Sequence, residues 1–191
     1  TWILSRLGKE QFTAAAIATP TFFTISTTFV TVFYAIGIKI GHCFGENKQN
    51  PEIAGWLRSG LVLAFILSCP AVIILLNAHH ILLWLGQKPQ LINIAQPFFT
   101  FGAPALVMMI FNFAINQYFC GIGHSKIALI LSIITLPLII GLSYLFVLGK
   151  LGLPQLGLAG INCASFIVDF IVLALSIIIA VTAKWSKLHR P

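Results

Sequence analysis

Apolar stretches long enough to cross a membrane alternate with short polar segments along the whole chain. Four stretches contain no charged residue and lie at 11–38, 59–87, 89–125 and 127–149. A fifth stretch, at 151–183, contains a single charged residue, Asp169. Because about 20 apolar residues suffice for a helix to cross the hydrocarbon core, this pattern predicts five membrane helices. We place them at about 12–44, 56–77, 90–120, 127–148 and 158–183.

The composition agrees with an integral membrane protein whose main partner is the lipid bilayer. Of the 191 residues, 59% are hydrophobic and only 8% are charged, whereas soluble domains carry roughly 25% charged residues. The net charge of +7 comes from basic residues near the span ends, so it does not indicate a nucleic-acid partner. Short loops rich in Gly and Pro favour antiparallel neighbours. The predicted fold class is an all-α polytopic membrane helix bundle.

Basic residues are shared unevenly between the two ends of the predicted spans. One side holds seven of them, Lys39, Lys48, Arg58, Lys126, Lys184, Lys187 and Arg190. The other side holds four, Arg6, Lys9, Lys88 and Lys150. The positive-inside rule then places the C-terminus on the cytoplasmic face of the plasma (inner) membrane. Since five spans would leave Thr1 outside without a signal sequence, we expect at least one further span upstream.

Asp169 is the charged side chain of the fifth predicted span. It lies near the membrane midplane, where a carboxylate costs several kcal/mol and usually faces the bundle interior or a wet cavity. At helical spacing, Asn162, Ser165 and Ser176 share its face. We interpret Asp169 as the candidate residue for coupling to a cation, with Ser165 beside it. A carboxyl that is hydrogen-bonded only for packing is the alternative that the sequence leaves open.

Two other predicted spans carry polar stripes that could line a cavity for a small-molecule substrate. The candidates, by their helical spacing, are Thr24, Thr28, Thr31 and Tyr34 in the first span and Asn112, Asn116 and Gln117 in the third. Hydroxyls and amides of this kind also join packed membrane helices, which is the structural alternative. Because an inward carboxylate needs partners or water, we expect both stripes to border one water-accessible cavity.

Prolines occur inside four of the predicted helices, at 20, 70, 104 and 137. Each removes a backbone donor, and neighbouring helices or side chains can satisfy the carbonyl that is left free. We therefore expect each proline to bend its helix. Bent helices are common in membrane proteins that move between two states, although static bundles also contain them.

Several short segments, taken in order, resemble one transporter family. The segment 41–48, Gly-His-Cys-Phe-Gly-Glu-Asn-Lys, and the segment 52–61 that follows look like the loop after the second helix in multidrug and toxic compound extrusion (MATE) transporters. Similar matches follow the order of that family's helices at 5–16, 101–104, 121–126 and 144–160. The resemblance extends over the whole chain.

The resemblance implies that residues 1–191 form part of the N-terminal lobe of a two-lobe, twelve-helix protein. The chain would hold helices two to six, and its partners within the same protein would be the missing first helix and the C-terminal lobe. The family implies a secondary active antiporter that exports drugs or other amphipathic or cationic organic compounds in exchange for H+ or Na+. It implies no cofactor other than that coupling ion.

One motif of the family is missing from this chain. A branch of the family carries an Asn-x-x-x-Asp pair on its fifth helix as part of a cation site. The matching positions here are Ile139 and Ser143. Ser143 therefore stays a candidate for the cavity, and the role assigned to Asp169 rests on its depth and polarity alone.

The chain lacks the motifs of hydrolases, zinc proteases and phosphate-binding loops, so we predict that it is not an enzyme and holds no metal site.

Two other classes of function remain open from the sequence. A lipid-linked oligosaccharide flippase of the same superfamily is one alternative to a drug exporter. A membrane scaffold that transports nothing is the other.

Overall fold

The computed structural model describes residues 9–47, 52–149 and 156–188. These residues form seven helices and no strand. In chain order the helices are α1 Lys9–Val30, α2 Phe33–Glu46, α3 Glu52–Leu76, α4 Ala78–Trp84, α5 Pro89–Gly121, α6 Ser125–Leu148 and α7 Ala159–Leu188. The predicted all-α class is confirmed.

Five helical stretches within the described residues are long and apolar enough to cross a membrane. They are Glu10–Glu46, Glu52–Leu76, Pro89–Gly121, Ser125–Leu148 and Ala159–Ala180. The number of spans agrees with the prediction from the charge pattern. The first span of this set includes both α1 and α2.

The first span is interrupted at Thr31 and Val32, between α1 and α2. The backbone N–H of Tyr34, which would donate to Val30 in a continuous α-helix, donates instead to the carbonyl of Thr31 at 3.2 Å. One turn earlier, the Thr31 hydroxyl donates to the carbonyl of Thr28 at 3.0 Å. Hydroxyl side chains that bond to nearby carbonyls compete with the helix ladder, so a run of threonines gives the interruption a local cause.

A second difference from the prediction is the short helix α4, which follows the second span directly. Asn77 separates α3 from α4, and its side-chain amide donates to the carbonyl of Ile73 at 2.8 Å. Ala78 and Leu82 bury one side of α4. Gly86, which has a φ of 73°, then turns the chain toward α5 in a conformation that favours glycine. The predicted second span ends at about residue 77, so α4 lies outside the predicted spans.

The prolines lie inside continuous helices, including Pro104 near the middle of α5. The breaks before α2 and before α4 fall at residues other than proline. The bending of each helix at its proline stays a prediction. Neighbouring helices can satisfy the carbonyl that a proline leaves free in a membrane bundle.

Helix α5 is the centre of the bundle and contacts each of the other six helices. Its buried side chains include Phe98, Leu106, Ile110 and Phe119. In the first half of α5, the carbonyl of Phe98 accepts a hydrogen bond from the buried amide of Asn162 on α7 at 2.6 Å. Since lipid supplies no hydrophobic driving force between helices, close packing and such hydrogen bonds hold membrane bundles together.

Glycine permits a close approach of two helix backbones at Gly160, near the start of α7. A Cβ atom at this position would lie 2.8 Å from the carbonyl carbon of Phe146 and 2.9 Å from the nitrogen of Val147. Both of these atoms belong to the backbone of α6. The α6–α7 contact therefore depends on the absence of a side chain at Gly160, as small residues often permit in membrane bundles.

Candidate functional site

A cavity of about 390 Å³ lies between α5, α6 and α7 and contains the Asp169 carboxyl in its wall. Its lining mixes apolar side chains with polar ones from all three helices. The polar lining residues are Asn112, Asn116, Ser132, Thr135, Asp169 and Ser176. An apolar pocket with a few convergent polar groups is the usual form of a small-molecule site.

Asn112 links α5 to α7 at the wall of this cavity. Its side-chain N–H group donates to the backbone carbonyl of Asp169 at 2.8 Å and lies 3.4 Å from the carboxylate oxygen Oδ1 of the same residue. The shorter bond fixes the position of Asp169 relative to α5. The longer contact leaves the carboxyl weakly held, so it keeps the capacity to bind another group.

The side-chain oxygen of Asn112 is buried and has no hydrogen-bond partner among the described residues. A buried acceptor without a partner is costly in a bundle and is a reason to expect water, an ion or a ligand beside it. Together with the carboxyl of Asp169, it presents two acceptor groups at one place. Such a pair suits a proton, a small cation or the charged part of an organic cation.

The two hydroxyls of α6 that line the cavity already donate to carbonyls of their own helix. Ser132 donates to the carbonyl of Ala128 at 2.9 Å, and Thr135 donates to that of Leu131 at 2.7 Å. Each hydroxyl oxygen still has lone pairs that can accept a hydrogen bond from a ligand. Sequence reasoning missed both residues, although their i, i+3 spacing within an apolar helix was a usable signal.

Asn116 lies one turn beyond Asn112 on α5 and also lines the cavity. Its side-chain oxygen accepts a hydrogen bond from the thiol of Cys120 at 3.4 Å. Ser176, which is buried, lies two turns beyond Asp169 on α7 and lines the same cavity. The structure thus brings together two of the three amides that the sequence proposed on α5 and the carboxyl that it proposed on α7.

The hydroxyl stripe of the first span lies elsewhere. Thr24, Thr28 and Thr31 are exposed, and the hydroxyl of Thr28 donates to the carbonyl of Thr24 at 2.9 Å. None of the three lines the cavity beside Asp169. Tyr34 does not line it either, but its ring packs edge-to-face on Phe113, with ring centroids 5.3 Å apart. Phe113 is a lining residue.

The other candidates from the sequence occupy packing positions. Gln117 packs against α2 at Gly37. A Cβ atom added at Gly37 would lie 2.5 Å from its side-chain oxygen. Ser143 is buried on α6, and its hydroxyl has no hydrogen-bond partner among the described residues. Ser165 is half-buried on α7. None of these three side chains lines the cavity.

A second cleft of about 470 Å³ lies between the first turns of α1 and α5 and is lined by Glu10 and Lys88 among others. It is separate from the Asp169 cavity, because Lys88 and Asn112 are more than six helical turns apart along α5. Among the described residues, no three His, Cys, Asp or Glu side chains form a group that could hold a metal ion. The Asp169 cavity is therefore the candidate functional site.

Comparison with known proteins finds several relatives that share one name and match most of this chain. A probable multidrug resistance protein NorM from Bradyrhizobium diazoefficiens is 28% identical over 185 residues, which are 97% of this chain and 39% of the relative. The protein of the same name from Rhizobium meliloti is 25% identical over 188 residues, 98% of this chain and 40% of the relative. That of Photorhabdus laumondii is 33% identical over 148 residues, 76% of this chain and 32% of the relative.

The chain spans at most about two fifths of the length of these relatives. The sequence model of the MatE family matches residues 1–145, which is most of the chain and includes α1 to α5 and nearly all of α6. The match agrees with the segments that carried the resemblance and with the five membrane-length helices. The chain belongs to the MatE family.

Proposed function

We propose that this chain forms part of the N-terminal lobe of a secondary active exporter. The transporter moves amphipathic or cationic organic compounds out of the cell in exchange for H+ or Na+. The relatives are named as probable multidrug resistance proteins, which supports a broad range of substrates. The chain acts as a transporter and not as an enzyme.

The observation that carries this proposal is the position of Asp169. Its carboxyl lines a cavity at the depth of the membrane helices, beside the unpartnered oxygen of Asn112. A carboxyl within a membrane span is usually part of an ion or proton path. The same two groups would bind either the coupling ion or the charged part of the substrate, but not both at once.

Exchange follows from this competition. When the coupling ion or proton occupies Asp169, the cavity is neutral and holds an organic cation weakly. When the ion leaves, the carboxylate attracts the organic cation instead. Because each ligand changes the affinity for the other by the same factor, loss of one and gain of the other are linked. Alternating exposure of the cavity to the two sides then converts an ion gradient into export.

The proposed orientation places the loop between α5 and α6 and the C-terminus of the chain in the cytoplasm. Lys126, at the start of α6, and Arg58, on α3, would then face the inner leaflet. The protein lies in the plasma (inner) membrane. The remainder of the transporter, including a first helix and a C-terminal lobe, would complete the substrate path.

The function is tested with the full-length protein purified and reconstituted into lipid vesicles. A fluorescent organic cation is placed inside, and an inward gradient of either H+ or Na+ is imposed. We expect efflux to accelerate with one of the two gradients and to return to the leak rate when that gradient is collapsed. An efflux rate that neither gradient changes, or no efflux of any cation tested, would contradict the proposal.

A further inference from the structure

Phe113 lies between the Asp169 cavity and Tyr34 of α2, and it forms part of the cavity wall. On one side it lines the cavity. On the other side it meets the ring of Tyr34 edge-to-face, with an interplanar angle of 86°. We propose that Tyr34 is a positioning residue that holds Phe113 in this wall and so sets the width of the cavity. Its consequence for the size of exported substrates rests on the function proposed above.

Helix α2 packs on α5 through three successive close contacts, and these hold Tyr34 in place beside Phe113. After Tyr34 on Phe113, the next contact is Gly37 on Gln117, where a Cβ atom at Gly37 would lie 2.5 Å from the amide oxygen. The contact after that is Ile40 on Gly121, at which a Cβ atom would lie 2.7 Å from Ile40. Residue numbers rise together on both helices, so α2 and α5 run parallel. These close contacts leave α2 little freedom to slide.

The turn before Tyr34 sets its direction. The chain leaves the α-helical path at Thr31 and Val32, and the N–H of Tyr34 closes the turn on the carbonyl of Thr31. The interruption therefore lies within one turn of the residue that meets Phe113. A continuous helix would rotate every later side chain of α2 relative to α5. The break thus determines which side chain of α2 meets the cavity wall.

The Tyr34 ring, and not its hydroxyl, carries this contact. Within the part of the chain that the structure describes, no side-chain hydrogen bond of Tyr34 occurs, and 53% of the residue is exposed. An edge-to-face pair depends on the ring, so a phenylalanine at this position supports Phe113 as a tyrosine does. Sequence reasoning interpreted Tyr34 as a polar group facing the substrate, whereas the structure assigns it an indirect role.

The width of the cavity can be measured without any transport assay. All native cysteines of the full-length protein, including the four of this chain, are replaced by serine, and a reporter is placed by Ser176→Cys, a buried position in the cavity wall. The full-length protein is then treated with one small and one bulky methanethiosulfonate reagent. The ratio of their two reaction rates reports the width of the path to the reporter. Ser125→Cys, at the exposed start of α6, corrects for the intrinsic reactivity of each reagent.

We expect Tyr34→Ala to raise the relative rate of the bulky reagent by about three- to tenfold, which is the effect of losing one aromatic pair. Tyr34→Phe keeps the ring and leaves the ratio unchanged. Ile38→Ala is the matched control, because Ile38 is 69% exposed on the next turn of α2. If Tyr34→Phe widens the cavity as much as Tyr34→Ala, or if Ile38→Ala does the same, the proposal is wrong.

A second variant keeps the test decisive if Tyr34→Ala lowers the yield of folded protein. Phe113→Ala removes the wall itself and should admit the bulky reagent to at least the same extent. Because Tyr34 acts through Phe113, adding Tyr34→Ala to Phe113→Ala should give no further increase. Two additive increases would show that Tyr34 acts by another route. Since no outcome depends on efflux, a failure of this test leaves the transport proposal intact, and the reverse also holds.

Discussion

The side-chain amide of Asn112 on α5 donates to the backbone carbonyl of Asp169 on α7 at 2.8 Å. This bond joins the central helix to the helix that carries the one acidic side chain at membrane depth. The oxygen of the same amide is buried and has no hydrogen-bond partner among the described residues. One residue thus fixes the position of the carboxyl and contributes a second acceptor beside it.

Removal of this amide should weaken the contact between α5 and α7. We expect Asn112→Ala to lower the free energy of unfolding by about 0.6 kcal/mol, the average for hydrogen bonds between membrane helices, and by no more than about 1.7 kcal/mol. Asn77→Ala is the matched control, because, among the described residues, the exposed amide of Asn77 bonds only to the carbonyl of Ile73, in the helix just before it. The measurement is unfolding of the full-length protein by denaturant in mixed micelles. Equal losses for the two variants would show that the bond between helices contributes nothing.

A methyl group at Gly160 should disrupt the α6–α7 contact. Gly160→Ala places a Cβ atom within 3 Å of three backbone atoms of α6, and a backbone cannot move aside as a flexible side chain can. We expect a loss of roughly 1–3 kcal/mol, as for other overpacked sites.

Gly141→Ala, on α6, is the control for Gly160→Ala. No atom lies within 4 Å of a Cβ atom at Gly141, so alanine there should stabilise the helix by up to about 1 kcal/mol. Thermal unfolding followed by circular dichroism measures both variants in the same detergent. A stabilising effect of Gly160→Ala would mean that α6 and α7 are further apart than the structure describes.

The proposed orientation predicts that the two ends of α5 react from opposite sides of the membrane. Cysteines are introduced by Leu85→Cys, before α5, and by His124→Cys, after it, in a protein without its native cysteines. Both positions are exposed. An impermeant thiol reagent added to intact cells should label position 85, whereas position 124 should react only after the cells are opened. The reverse pattern would invert the orientation, and labelling of both positions from outside would contradict a membrane-spanning α5.

The fold was predictable from the sequence to the level of five spans, because charged residues are so costly in lipid that they mark the span ends. The interruptions were not predictable in the same way. A proline is the residue type most disruptive to a helix, yet Pro104 lies inside a continuous helix, while the break falls at Thr31. Competition between hydroxyls and the helix ladder depends on local geometry that residue type alone does not define.

The candidate site was predictable in part. Spacing along one helix brought Asn112 and Asn116 onto one face, and depth singled out Asp169. What spacing could not supply was the pairing between helices, which decides that Asp169 meets Asn112 and that the threonines of α1 lie elsewhere. For the same reason, Tyr34 was recognised as a candidate but its contact with Phe113 was not.

In the proposed mechanism, the carboxyl of Asp169 couples export to an ion gradient. Asp169→Asn keeps the shape of the side chain but can neither bind a proton nor hold a negative charge. Efflux of a fluorescent cation from vesicles that contain this variant should no longer depend on the imposed H+ or Na+ gradient, while the protein still inserts and unfolds at a similar temperature. Gradient-driven efflux at the rate of the unchanged protein would contradict the claim and leave Asp169 a packing residue.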